Sequence, residues 1–143
     1  MTYEFTIVRS FAASPEELFA LWTEPAHFSR WFGTDAVTVP LDTLSLDVRV
    51  GGTWSATMLL PDGETTIDWV GEYLEVDRPN RLVLTITDQP QFDARGTVTV
   101  TFEAIDDTTV MTMTQSGEGI EQAQTEQTVI GYNAFFDVME QLL

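Results

Sequence analysis

His27 is the single histidine of the chain, so any zinc site or Ser-His-Asp triad would have to be built on it. Neither is supported. A zinc site of ordinary ligand type needs partner histidines or cysteines, and the sequence contains no cysteine. The Gly-x-Ser-x-Gly elbow that presents a serine nucleophile is also missing. Without cysteine there is no thiol catalysis, iron–sulfur ligation or disulfide. His27 is therefore read as a solvated surface residue. Lysine is absent too, because all 6 basic residues are arginines (Arg9, Arg30, Arg49, Arg78, Arg81 and Arg95). That removes Schiff-base chemistry and a phosphate-loop lysine. No cofactor and no metal is expected.

The acids are numerous but scattered. Asp106-Asp107 and Asp62-x-Glu64 fall in turns, and no Asp-x-Asp-x-Asp-Gly calcium loop occurs. Asp68 alternates away from Trp69 and should face solvent. Glu75 shares a strand face with Trp69 and Tyr73 unless a bulge intervenes. It is read as a cross-strand partner of Arg81 or Arg49, the sharper alternative being a raised-pKa acid in a pocket. The pair Gly51-Gly52 in "DVRVGGTW" raises the question of a phosphate loop. Such a loop needs a helix N-terminus after the glycines, whereas a strand-like run, "TWSATM", follows. The glycines are read instead as a tight reversal in which φ > 0 is permitted. Asp47 and Arg49 would pair on one face there, and Trp54 would begin an inward row.

These residues need elements to position them. Residues 3–11 alternate like a strand with one buried face. "SPEELFALWTEP" carries an N-cap at Ser14, proline at the first helical position and Glu17 completing a capping box. Pro25 opens a second short helix that Gly33 would stop. From Leu44 to Gln115 the chain reads as strands and turns: "LSLDVRV", "TWSATMLL", "TTIDWVGEYLEV", "RLVLTIT", a looser connection at 88–95, "GTVTVTFEAI" and "TTVMTMTQ". Asp62-Gly63 suits the φ > 0 positions of a primed hairpin turn. Nothing between these strands is long enough for a parallel crossover. After Gly117, Val129, Tyr132, Phe136, Met139 and Leu143 recur at helical spacing, which predicts one long amphipathic C-terminal helix. The economical packing is an α+β domain spanning 1–143: a curved antiparallel sheet of about seven strands wrapped around the C-terminal helix, with two short helices after strand 1.

The apolar set facing that helix is unusual in type. Phe5, Trp31, Phe32, Trp54, Met58, Trp69, Tyr73, Met111, Met113, Tyr132, Phe135, Phe136 and Met139 are rich in Trp, Met and Tyr where ideal cores favour Leu, Ile and Val. A well-packed core is one reading. Large rings and adaptable thioethers around a cavity with a few polar points is the other. The net charge of −17 arises from 23 acidic against 6 basic residues. It repels nucleic acid and anionic membranes, and reflects solubility, adaptation to salt or a basic partner. "MTYEFTIVRSF" does not read as a signal peptide, and no apolar run approaches the roughly 20 residues of a membrane span. A cytoplasmic protein is expected.

The order of elements and several motifs carry a resemblance: "RSFAASPEELFALWTEP", Trp31-Phe32, "DVRVGGTW", "GEYLEVDRPNRLVLT", "TVTVTF" and Gly131-Tyr132. On these the chain resembles the activator-of-heat-shock-protein-90-ATPase homologue group, within the START/Bet v-like (SRPBCC, helix-grip) superfamily. The resemblance implies a helix-grip fold with a deep, largely apolar pocket between sheet and helix. Two positions depart from the group: Tyr132 stands where tryptophan is common, and Gln115 where histidine is frequent. Both should look toward the cavity. The resemblance does not fix a reaction; the first reading is a protein that binds a hydrophobic, aromatic or lipid-like small molecule, non-enzymatic or only weakly so. The ligand-binding residues would be Trp31, Phe32, Trp54, Met58, Trp69, Tyr73, Met113, Gln115, Tyr132 and Phe136. The alternatives are a cyclase- or hydratase-like enzyme using Glu75, Tyr73 or Tyr132, a chaperone-binding activator-like module, and a homodimer with a structural role.

Overall fold

In a computed structural model of the chain, residues 2–32, 38–89, 91, 95–118 and 122–143 are described. Strand β1 (Thr2–Phe11) leads into helices α1 (Pro15–Thr23) and α2 (Pro25–Trp31). A single 3-10 turn (Leu41–Thr43) precedes strands β2 (Ser45–Leu46), β3 (Thr53–Leu59), β4 (Thr66–Asp77), β5 (Arg81–Ile86), β6 (Gly96–Ile105) and β7 (Thr108–Glu118). Helix α3 (Gln122–Gln141) closes the chain. The strands form one curved antiparallel sheet in the order β1-β7-β6-β5-β4-β3-β2, as the alternation and short turns predict.

Local chemistry explains the ends of these elements. The Ser14 hydroxyl accepts the Glu17 N–H and donates to the Glu17 carboxylate, and Pro15 needs no hydrogen bond in the first turn. Leu18, Phe19, Leu21 and Trp22 of α1 then turn inward. The expected stop at Gly33, and residues 90 and 92–94 of the connection at 88–95, lie outside the described residues.

Three boundaries differ from the sequence expectation. The strand expected over 44–50 is only Ser45–Leu46. Beyond it the Arg49 N–H donates to the Asp47 carbonyl at 2.9 Å and the Gly52 N–H to the Arg49 carbonyl at 2.8 Å, which coils the chain before the reversal. Strand β7 runs past Gln115 to Glu118 because the first residues of β1 pair with it, Tyr3 opposite Gly117. At Asp62-Gly63 no primed turn forms. Gly63 has φ +75, but Asp62 is not in the left-handed region. A four-residue loop is closed by Leu60 N–H to the Thr65 carbonyl, and the Asp62 carboxylate accepts the Glu64 and Thr65 N–H groups. Those bonds, the Thr65 hydroxyl foremost, hold the Asp62 carboxyl below its usual range.

The core lies between the concave face and the helices. Register aligns rows across the sheet, one of them Tyr73–Leu84–Val98–Gln115–Phe5. Phe136 and Met139 of α3 are fully buried against this face. Arg9, in an inward position of β1, spans to α3: its guanidinium bonds Asp137 at 2.9 Å and Glu140 at 3.5 Å and reaches the Asn133 carbonyl. A cation on a largely apolar face is thus explained as a clamp on the C-terminal helix. Among the described residues no helix is long and apolar enough to cross a membrane.

Candidate functional site

The signature residues interlock as one structural device. Gly51 takes φ +84 and donates its N–H to the Tyr73 carbonyl at 2.9 Å, while the Tyr73 N–H donates to the Gly52 carbonyl at 2.8 Å. The hairpin is thereby stitched to β4. Trp54 then crosses over Gly71, its cross-strand partner, and donates its indole N–H to the Thr85 carbonyl at 2.9 Å. A Cβ on Gly71 would overlap both that carbonyl and the indole nitrogen. Glycine is required here because an indole occupies the space of its side chain. Asp47 and Arg49 pair at 2.9 Å on the surface, as expected.

The inward rings form a continuous series. Trp31 and Phe32 come from the end of α2, Trp54 and Met58 from β3, Trp69 from β4, and Tyr132, Phe135 and Phe136 from α3. Phe32 meets Trp54 at 5.7 Å and Trp69 at 5.9 Å edge-on, and Phe135 at 5.7 Å with tilted planes. Trp31 meets Phe136 at 6.3 Å, and Phe136 meets Tyr132 at 5.8 Å. Phe5 continues the series from Tyr132 at 6.0 Å to Tyr3 at 6.3 Å. Tyr73 joins through the sheet row rather than through a ring contact, and Met113 lies between Ile7 and Val100. Trp31, Met113 and Phe136 have no exposed surface, whereas Phe5, Trp69 and Phe135 are half-buried.

The polar tips are sorted in a way that the sequence does not reveal. Every indole N–H is already used: Trp22 on Met111 Sδ, Trp31 on the Leu21 carbonyl, Trp54 on the Thr85 carbonyl and Trp69 on Met58 Sδ. The tryptophans therefore contribute surface, and hydrogen bonding falls to other groups. Gln115 and Tyr132 touch each other. The Tyr132 hydroxyl donates to Gln115 Oε1 at 2.6 Å, and Gln115 Nε2 donates to the Tyr3 hydroxyl at 3.0 Å. Gln115 and Tyr132 are each only 7% exposed. Tyr3, half-buried at the margin, is the member that sequence reasoning missed. Its signal was the glycine pair Gly96 and Gly117, on which its ring rests.

Burial, with a smaller contribution from Tyr3, holds the Tyr132 hydroxyl above the usual phenol range. Burial and then the Asp47 charge do the same for Tyr73. Both are protonated donors at neutral pH. Glu75 is removed from the concave face by a bulge between Tyr73 and Glu75, which puts it opposite Val83. There it pairs with Arg81 at 3.0 Å. The pocket-acid alternative for Glu75 is thus corrected, and its reading as an ion pair holds. Among the described residues no carboxylate is buried, and no cluster of acids or histidine could hold a metal. His27 is exposed and Asp68 faces solvent, bonded to Thr57.

A family model described as Activator of Hsp90 ATPase homolog 1-like protein matches residues 12–143. No curated protein matches. Among solved structures, a protein of Chromobacterium violaceum is similar at 20% identity, with 97% of this chain and 95% of that one covered and a TM-score of 0.86. An AHSA1-like protein of Aeromonas hydrophila is similar at 21% identity, with coverage of 98% and 94% and a TM-score of 0.80. A protein of Arthrobacter aurescens is similar at 25% identity, with coverage of 96% and 82% and a TM-score of 0.75.

Proposed function

Because the chain belongs to the Activator of Hsp90 ATPase homolog 1-like family, whose fold alone does not fix a ligand, we propose that it is a binding module for one small hydrophobic or aromatic molecule. The molecule would be held on the concave face between sheet and α3. The observation that carries this reading is the hydrogen-bonded series Tyr132–Gln115–Tyr3 set in a wall of aromatic rings.

A face built only for stability is served better by aliphatic side chains in defined rotamers. Burying an amide and a phenol is costly unless every partner is supplied. A connected polar group at one end of an apolar surface is what orients a ligand in small-molecule sites. Trp31, Met113 and Phe136 would form the back of the site. Phe5, Trp69 and Phe135, half-buried at its margin, would yield by rotamer changes as the ligand enters. Tyr73 and Tyr132, protonated at neutral pH, suit binding rather than proton abstraction.

The test uses a neutral hydrophobic dye, N-phenyl-1-naphthylamine. Dye emission should rise and tryptophan emission fall along one saturable curve, with one dye per chain. Emission that climbs linearly without saturation, or does not change, removes the reading.

A further inference from the structure

We infer that Tyr3 is the specificity-determining residue of this site, and that it selects a neutral aromatic molecule bearing a hydrogen-bond acceptor such as a ketone carbonyl. The inference rests on the binding reading above and names its ligand class.

The direction of the relay carries the argument. Gln115 Oε1 can only accept, so the Tyr132 hydroxyl gives its proton to it across 2.6 Å. Gln115 Nε2 can only donate, so the Tyr3 oxygen receives across 3.0 Å. Among the described residues the proton of Tyr3 is then left outside the relay. One end is closed and buried at Tyr132, and the other presents a donor at a half-buried margin. A ligand acceptor placed there completes the relay, and successive hydrogen bonds polarise one another.

The phenol is also held in place. Gly96 of β6 and Gly117 of β7 adjoin beneath it, Gly96 Cα lying 3.2 Å from where a Cβ on Gly117 would stand. A Cβ on Gly117 would lie 2.9 Å from Tyr3 Cε1, and one on Gly96 would lie 2.8 Å from the Tyr3 hydroxyl oxygen. These glycines form a floor that admits the ring. Phe5 stacks on Tyr3 with planes 21° apart and also meets Tyr132, so a flat ring finds aromatic faces beside the donor. An anionic ligand is disfavoured. The chain carries −17, and both Arg9 on this face and Arg95 beside Gly96 already have partners.

Three naphthalenes of similar size separate the possibilities by calorimetric titration: 2-acetylnaphthalene, 2-ethylnaphthalene and 2-naphthoate. The wild type should bind the ketone about tenfold more tightly than the hydrocarbon, the ratio expected for one neutral hydrogen bond. The carboxylate should bind most weakly. Tyr3→Phe should abolish the ketone preference while keeping the 2-ethylnaphthalene affinity. Equal binding of ketone and hydrocarbon, a preference that survives in Tyr3→Phe, or tightest binding of 2-naphthoate overturns this inference and leaves the binding reading standing. If none of the three binds, both fall. Should Tyr3→Phe not fold, the wild-type ranking still decides the ligand class. Gln115→Leu, which cuts the relay behind Tyr3, must then reduce the ketone preference.

Discussion

The Tyr132 hydroxyl is protonated in the folded and unfolded chain alike below its ordinary pKa of 10.0. Above that value the unfolded chain releases the proton while the folded chain, with its raised pKa, retains it. The unfolded state then binds fewer protons, so stability falls as pH rises through and beyond 10. Tyr73 acts in the same direction. Tyr132→Phe removes the donor to Gln115 Oε1 and should cost about 1–2 kcal/mol at pH 7. It should also make the alkaline loss shallower. Urea unfolding at pH 7 and at pH 11 checks both, and a variant losing stability as steeply as the wild type contradicts the assignment. The type of residue in this region was legible in the sequence, but the bond between Tyr132 and Gln115 was not. It depends on where α3 lies over β7, which strand alternation alone does not specify. Tyr3 escaped notice because its role needs the register that sets it over Gly117.

Between β3 and β4, glycine and tryptophan act as a pair, and a contrast of two glycines tests how elements are built. Gly71→Ala forces the Trp54 indole off the Thr85 carbonyl. It should destabilise by about 2–4 kcal/mol, from overpacking and a lost hydrogen bond. Gly131 lies in α3, where a Cβ would meet nothing within 4 Å beyond its chain neighbours and the helix's own backbone. Gly131→Ala should stabilise by about 0.5–1 kcal/mol through helix propensity alone. Denaturant midpoints read both, and a destabilised Gly131→Ala or a neutral Gly71→Ala contradicts the packing described. Elements with strong local signals were readable in advance. Ser14-Pro15 and Glu17 mark α1, and the alternation of β3 through β7 marks the sheet. The short β2 was not readable, because backbone bonds from Arg49 and Gly52 override the apolar alternation of "LSLDVRV". The bulge that turns Glu75 outward likewise leaves no single-residue mark in the sequence.

Across the whole molecule, a charge of −17 is set against few cations, and among the described residues Arg9, Arg49 and Arg81 pair with four carboxylates between them. The remaining acids repel one another over distances that salt screens, the Debye length being about 10 Å at 0.1 M and about 3 Å at 1 M. The melting temperature should therefore rise as KCl increases from about 0.1 to about 1 M. A flat or falling curve means that this repulsion does not limit stability. The same field disfavours anionic ligands, which joins the surface to the reading of the concave face. That reading is tested most directly by the side-chain amide resonance of Gln115 in an NMR titration with 2-acetylnaphthalene. The account predicts a saturable shift of the Gln115 Nε2 protons together with the Trp54 and Trp69 indole signals. Saturable shifts confined to outer-face residues, with the Gln115 amide unmoved, would contradict it.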